Sequence, residues 1–326
     1  MPHVLVLGRI HAAGLALLEA RPDIAVELLA SASEPELIGR APAADAILVR
    51  TNRVSGAVID AAPNLKIVSR HGVGYDNVDL AALDRRGIPL TVVGDVNAVP
   101  VAEHAFYLML ALAKQAIAHD RATRTGSWAI RDGFAATELS GKELLLLGFG
   151  RIGRAVAVRA QAFGMQVAAY DPYVPSAAIA AAGCRAAPAR DAALAGADFV
   201  SVHLPLTAET RNIIDARALA RMKRSAILIC TARGGLVDEA ALARALGAKA
   251  LRGAGLDVFA DEPPAADNPL LGLPEVLLSP HTAALTEECA IRMAEISARN
   301  VLAAFDGALD PGLVVNGPAV AAAKRA

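Results

Sequence analysis

Short aliphatic runs recur along the whole chain with helix-length segments between them, and this rhythm restricts the fold more than any single residue does. Val4–Leu7, Ala25–Leu29, Ala46–Val49, Lys66–Ser69 and Pro89–Val93 read as strands. Helical patterns such as Ala12–Ala20, Gly56–Ala62 and Leu80–Arg86 separate them. The rhythm restarts with Glu143–Leu147, Gln166–Tyr170, Phe199–His203, Ala226–Cys230, Ala254–Val258 and Val276–Leu278. Strands spaced by helices imply parallel sheets with right-handed crossovers. The composition agrees: 55% of the 326 residues are hydrophobic but only 4% aromatic, so the apolar mass is aliphatic, as in sheets covered by helices on both faces.

Two longer segments set the expected domain map. A helical pattern runs from about Pro100 to Arg121, followed by a polar stretch, Thr123 to Gly141. A second helix is expected from Thr286 to about Phe305. Residues 1–98 plus 283–326 are expected to form one domain, and residues 99–282 the other. The short Ala177–Ala182 stretch reads as a helix.

Charge and cysteine usage narrow the class. Lys and Arg (32) nearly balance Asp and Glu (33), a formal charge of -1, so no net basic field favours a nucleic acid or an anionic membrane. Cys184, Cys230 and Cys289 are widely spaced without a C-x-x-C, which suits a reducing compartment. The N-terminus enters a strand-like run at once, unlike a signal peptide, and a cytoplasmic location is expected. The apolar segment Ala105–Ala113 is far too short to span a bilayer.

The strongest local motif is Gly148-Phe149-Gly150-Arg151-Ile152-Gly153. It follows the apolar run Leu144–Leu147, opens a helical segment from Arg154 to Phe163, and is followed by another strand ending at Asp171, eighteen residues beyond Gly153 (171 against 153). That context is the dinucleotide-binding βαβ unit. Gly148 allows the tight turn, Gly150 lets backbone approach a pyrophosphate, and Gly153 lets helix pack on strand. The helix N-terminus, with Arg151 and Ile152 in its first turn, offers N–H groups and a positive dipole end. Asp171 is placed to accept hydrogen bonds from the adenosine ribose and to repel a 2′-phosphate, so NAD is expected over NADP. The expected fold class is α/β: two doubly wound parallel-sheet domains, a Rossmann cofactor domain inserted into a flavodoxin-like substrate domain.

Three chemically apt residues follow the ends of successive strands in the second half. Arg233 comes after Ile229–Ala232, Glu262 after Leu256–Asp261, and His281 after Leu277–Pro280. Carboxyl ends of parallel strands line one crevice, so these side chains are expected to converge. Arg offers a planar fork for a carboxylate. His donates a proton near neutral pH, and a neighbouring carboxylate orients it and favours its charged form. The set fits reduction of a 2-keto acid, with Arg233 binding, His281 donating and Glu262 tuning.

At this point the sequence resembles the D-isomer-specific 2-hydroxyacid dehydrogenases. The resemblance covers nearly the whole chain. It rests on Gly148–Gly153, Val202–Thr207, Thr231–Glu239, Gly255–Phe259 with Glu262-Pro263, and Ser279–Thr282. It implies an NAD-dependent enzyme whose catalytic Arg, Glu and His are Arg233, Glu262 and His281. It implies that Asp257 meets the nicotinamide side of the cofactor and that His203, Leu204 and Pro205 lie along the adenosine. Thr210 would lie near the pyrophosphate, and Thr231, Ala232 and Arg233 near the nicotinamide half, with His281. It also implies a homodimer whose arm is the Pro100–Arg121 helix and the Trp128 segment.

The stretch Ser69–Asp79 resembles the family's substrate loop, in which the N–H groups of Val73 and Gly74 would hold the substrate carboxylate. Arg50, with Arg53 nearby, and Arg70 follow strands and suit a second anion such as a phosphate. Val49-Arg50 with Ser69-Arg70 is similar to the phosphoglycerate dehydrogenase branch. His71 stands where parts of that branch carry a small residue, and no regulatory C-terminal domain is expected beyond Lys324. Phosphohydroxypyruvate, hydroxypyruvate and glyoxylate are thus all candidate substrates. The alternatives are an NADH-sensing corepressor of the same fold and a formate- or phosphite-type dehydrogenase. His3 and His11 are expected to be exposed, His104 to face the cleft or a dimer contact, and His119 to be solvated. No cluster has metal-ligand spacing, and no metal is expected.

Overall fold

Parallel strands cannot be joined by tight hairpins, so each pair needs a crossover that folds a helix onto the sheet. The computed structural model, which describes residues 1–323, builds two such units. One contains Met1–Asn97 and the chain from Leu285 onward; the other is Ala98–Ala284.

In the first unit the strands are β1 (His3–Leu7), β2 (Ala25–Leu29), β3 (Ala46–Val49), β4 (Ile67–Arg70) and β5 (Leu90–Thr91). They form one parallel sheet in the order β2-β1-β3-β4-β5, the flavodoxin-like order. In the second unit the strands are β6 (Glu143–Leu147), β7 (Gln166–Tyr170), β8 (Arg185–Ala186), β9 (Phe199–Val202), β10 (Ile227–Cys230), β11 (Gly253–Leu256) and β12 (Val276–Leu278). They lie in the order β12-β11-β10-β9-β6-β7-β8, again all parallel. The order reverses at β6 and β9, the position at which doubly wound sheets open a crevice for ligands.

Each sheet is buried on both faces. In the first unit Leu5, Leu7, Ile47 and Val49 face one core, while Val4, Val6, Leu48 and Ile67 face another completed by Ala298 and Val301 of the helix Glu287–Phe305. Thr286 caps that helix, its side chain accepting the Cys289 N–H. The chain then returns along the sheet edge: Val92 N–H donates to Leu313 and Val315 N–H to Leu90. Buried Asn316 secures this return. Its Oδ1 accepts the Leu90 N–H at 2.9 Å, and its Nδ2 donates to Asp84 and to the Ile88 carbonyl.

The structure departs from the periodicity in several places. The helix expected over Pro100–Arg121 is two helices, Ala98–Ala113 and Ala116–Arg124. Gln115 breaks it in a left-handed conformation (φ 52°), and the Ala113 carbonyl accepts the Thr137 N–H instead of a helical one. β5 stops at Thr91 because the next amides bond Leu313 and Gly72 rather than β4. β8 is only two residues long and carries no periodic signal. His3 and His11 are half-buried, and His11 Nδ1 caps a helix by accepting the Ala13 N–H. Among the described residues no helix is long and apolar enough to cross a membrane.

Removing the Asn316 amide strands the Leu90 N–H and the Ile88 carbonyl in an apolar setting. Asn316→Ala is expected to lower the unfolding free energy by about 2 kcal/mol, measured by urea denaturation; an unchanged midpoint would contradict this role.

Candidate active site

The sequence places a turn at Gly148, and packing leaves it no choice of residue. Gly148 has φ +97°, and a Cβ there would sit 2.6 Å from the His203 carbonyl oxygen. A Cβ on Gly153 would meet the Gly148 carbonyl at 2.3 Å. The ends of β6 and β9 are thereby drawn together, with His203 N–H donating to Leu147. Gly150 has no atom within 4 Å of its would-be Cβ, so the backbone is open to an approaching group. The helix Arg151–Ala162 starts there, and no side chain caps it. An open glycine before an uncapped helix N-terminus fits a pyrophosphate.

Asp171, at the end of β7, is anchored rather than free to swing. Its Oδ2 accepts the Phe149 N–H at 2.8 Å and its Oδ1 the Tyr173 N–H at 2.9 Å. Its carboxylate therefore sits beside the glycine turn, where a ribose would lie. Two buried polar atoms near the strand ends have no partner among the described residues: Thr231 Oγ1 and His203 Nδ1. The His203 ring bonds Ser201 Oγ through Nε2, and burial holds it low, at about 4, so it is neutral at pH 7. Leu204 is half-buried and Pro205 exposed. Thr210 Oγ1 is engaged within its own loop, donating to the Pro205 carbonyl and accepting the Thr207 N–H. These features together fit a dinucleotide along β6, β7, β9 and β10.

Glu262 and His281 meet, and Arg233 lies near enough for its charge to act on Glu262. His281 Nδ1 lies 2.7 Å from Glu262 Oε2, and Glu262 Oε1 accepts the Phe259 N–H at 3.2 Å. Burial alone would raise the Glu262 carboxyl, but the His281 hydrogen bond and charge, the Phe259 N–H and the Arg233 charge together hold it below its ordinary value. Glu262 is thus ionised at neutral pH and can only accept, so the proton in this bond belongs to His281 Nδ1. Nε2 is the ring nitrogen left for chemistry. Gly234 makes this packing possible, because a Cβ there would lie 1.7 Å from the Phe259 carbonyl oxygen. Arg233 Nη1 also donates to the Ala232 carbonyl at 2.6 Å.

Asp257 is fully buried at the end of β11. Its Oδ1 accepts the Ser279 hydroxyl (2.6 Å) and the Thr282 N–H (2.9 Å), its Oδ2 accepts the Ala283 N–H (2.9 Å), and its carbonyl accepts the His281 N–H (2.7 Å). His281 is held between these bonds at φ 52°, an uncommon conformation for a residue with a side chain. Sequence reasoning put His104 at the cleft or a dimer contact and Ser279 in a family motif but did not pair them. His104 Nε2 lies 2.8 Å from Ser279 Oγ and 3.6 Å from Asp257 Oδ1. No local signal could pair residues 175 positions apart.

In the first unit, Arg70 differs from its expected role as an anion reader. Its Nε donates to the Gly74 carbonyl at 2.7 Å and its Nη1 to the carbonyls of His71 (2.7 Å) and Val49 (3.4 Å). The guanidinium thus templates the Gly72–Gly74 turn from inside. Arg50 donates to the Arg9 carbonyl at 2.8 Å, and Arg53 is exposed. His71 is buried between these cations. Desolvation first, then the charges of Arg50 and Arg70, hold it low, at about 4. Among the described residues no group of three or more His, Cys, Asp or Glu is placed to hold a metal ion.

Comparison with known proteins agrees with this geometry. The family model "D-isomer specific 2-hydroxyacid dehydrogenase, NAD binding domain" matches residues 106–283. A D-3-phosphoglycerate dehydrogenase of Mycobacterium tuberculosis is 43% identical over 315 residues, covering 96% of this chain but 59% of that protein. A glyoxylate reductase of Korarchaeum cryptofilum is 38% identical over 318 residues, 96% of each chain. Among solved structures, an NADPH-dependent glyoxylate/hydroxypyruvate reductase from Sinorhizobium meliloti superposes with a TM-score of 0.84 at 30% identity, covering 97% of this chain and 98% of that one.

The buried His71 carries a pH signature. In the unfolded chain its ring takes up a proton below its ordinary 6.5, whereas in the folded protein it stays neutral down to about 4. Stability should therefore fall as pH drops through that window, with His71 accounting for about 3 kcal/mol of the loss at its foot. His71→Gln should flatten this part of the profile in denaturation curves between pH 7 and 4; an unaltered slope would refute it.

Proposed function

The chain belongs to the D-isomer-specific 2-hydroxyacid dehydrogenase family, and on that premise we propose that it transfers a hydride between NAD and a small 2-hydroxy or 2-keto acid. The observation that carries this reading is the ordered His281–Glu262 pair beside Arg233, built from the ends of separate strands. A cofactor sensor would need no such arrangement.

The nicotinamide ring supplies the hydride when bound. The chain's own groups handle charge and proton. Arg233 holds the substrate carboxylate and fixes the 2-carbon. His281 Nε2 gives its proton to the carbonyl oxygen as it is reduced, and recovers it in the reverse direction. Glu262 keeps the ring in one tautomer and offsets the positive charge of the protonated state. Thr231 Oγ1 and the Gly148–Gly153 turn hold the cofactor, with Asp171 on the ribose. The Asp171 carboxylate would repel a 2′-phosphate, which favours NAD although the Sinorhizobium relative uses NADPH.

The chain spans 59% of the mycobacterial relative's length, so the substrate is argued from the site. We assign the unit Ala98–Ala284 to the cofactor and the Val73 and Gly74 N–H groups of the first unit to the substrate carboxylate. Arg50 is the better candidate for a second anion, since Arg70 is turned onto its own loop. Both 3-phosphoglycerate/phosphohydroxypyruvate and hydroxypyruvate/glyoxylate suit this set. We further propose a homodimer. Trp128 (63% exposed) and Phe134 (89% exposed) lie on a short arm in the same unit as an open groove of about 790 Å³ lined by Leu112, Ile117, Ala122 and Leu277, so a second copy's arm has apolar surface to fill. The free, buried thiols of Cys184, Cys230 and Cys289 support a reducing, cytoplasmic setting.

NADH oxidation with glyoxylate, hydroxypyruvate, pyruvate and phosphohydroxypyruvate should reveal turnover, and His281→Asn should reduce kcat by about a thousandfold while NADH still binds. Turnover kept by that variant would remove His281 from the chemistry. Arg70→Ala should raise KM for every keto acid alike, whereas Arg50→Ala should act on phosphohydroxypyruvate selectively. Equal effects of both variants on all four substrates would discard the second-anion role. In sedimentation, the wild-type chain should run as a dimer and Phe134→Asp as a monomer; a monomeric wild type would dismiss the arm.

A further inference from the structure

We propose that His104 and Ser279 are positioning residues for the proton donor: the chain His104–Ser279–Asp257 sets the backbone turn that carries the His281 ring. This deepens the dehydrogenase reading and rests on it.

The hydrogen bonds fix their own direction. Asp257 Oδ1 already accepts the Thr282 N–H, and the single Ser279 hydroxyl proton points to the same oxygen at 2.6 Å. The Ser279 oxygen must then accept, and the donor is His104 Nε2–H at 2.8 Å. His104 is thereby committed to one role, whether its ring is neutral or charged. Its side chain is only 18% exposed, and its ring lies against Tyr107 with centroids 5.4 Å apart, which limits its orientations.

The carboxylate at the centre of this chain also accepts the Thr282 and Ala283 N–H groups. Those two residues directly follow His281, and Ser279 lies two before it. Asp257 therefore holds the segment on both sides of the reactive residue, while its own carbonyl accepts the His281 N–H. The Ser279 and His104 donors keep Oδ1 aimed at the Thr282 amide. Without them, a buried carboxylate short of donors rotates or recruits water, and the turn it holds loosens. His281 at φ 52° depends on such outside support, because nothing in its own preference keeps it there. The helix Ala98–Ala113 contributes to the active site in this way without touching a reacting atom.

Two measurements on the whole chain test this. The first is amide hydrogen exchange of Thr282 and Ala283 without any ligand. The second is the kcat and KM for NADH and the preferred keto acid. In His104→Leu and Ser279→Ala the two amides should exchange about tenfold faster. In the same variants kcat should fall about tenfold or more, with KM for NADH held within about twofold. His104→Gln, which keeps an N–H donor, and Ser279→Thr, which keeps the hydroxyl, should retain most of the wild-type kcat and protection. Unchanged exchange and kcat in His104→Leu and Ser279→Ala would overturn the proposal, as would equal losses in the conservative variants. Exchange is read without turnover, so a wild-type chain inactive on every keto acid would remove the enzymatic reading alone.

Discussion

A single buried carboxylate organises the reactive end of the larger sheet. Asp257 collects a hydroxyl and two backbone N–H groups around a side chain that has no solvent. A buried carboxyl group is tolerable only while its hydrogen-bond partners stay in place, because those bonds compensate the lost hydration. The turn around His281 is built from these bonds together with that of its own N–H to the Asp257 carbonyl.

The same logic of opposed environments separates the histidines. His281 is exposed and paired with a carboxylate held ionised, the setting the proposed proton transfer requires. Burial holds the His71 and His203 rings neutral, so they act as shaped polar filler. One residue type thus sits in two opposed settings, and burial decides which.

Much of this was legible in the sequence because the relevant signals are local. The aliphatic runs mark nearly every strand, and Gly148–Gly153 with Asp171 marks a single βαβ unit. Arg233, Glu262 and His281 could be expected to converge because each follows a strand end, and parallel topology places those ends together. What escaped has equally physical reasons. The break at Gln115 depends on the Thr137 amide capturing a helix carbonyl, an event no helical periodicity encodes. β8 is too short to alternate. The inward turn of Arg70 and the His104–Ser279 contact are side-chain choices made in three dimensions, where residue type permits several partners and packing selects one.

The discontinuous first unit has a consequence for how the protein is made. Residues 98–284 are contiguous, so their sheet and both faces of its core can close as soon as they leave the ribosome. The first ninety-seven residues emerge earlier yet lack Ala298 and Val301, which complete the core beneath β1, β3 and β4, and Asn316, which secures the sheet edge. The strands made before residue 98 are therefore completed only after residues 98–284 have followed, and their aliphatic sheet face stays uncovered until Ala298 and Val301 emerge, an interval in which a nascent chain is open to chaperones and to mispairing.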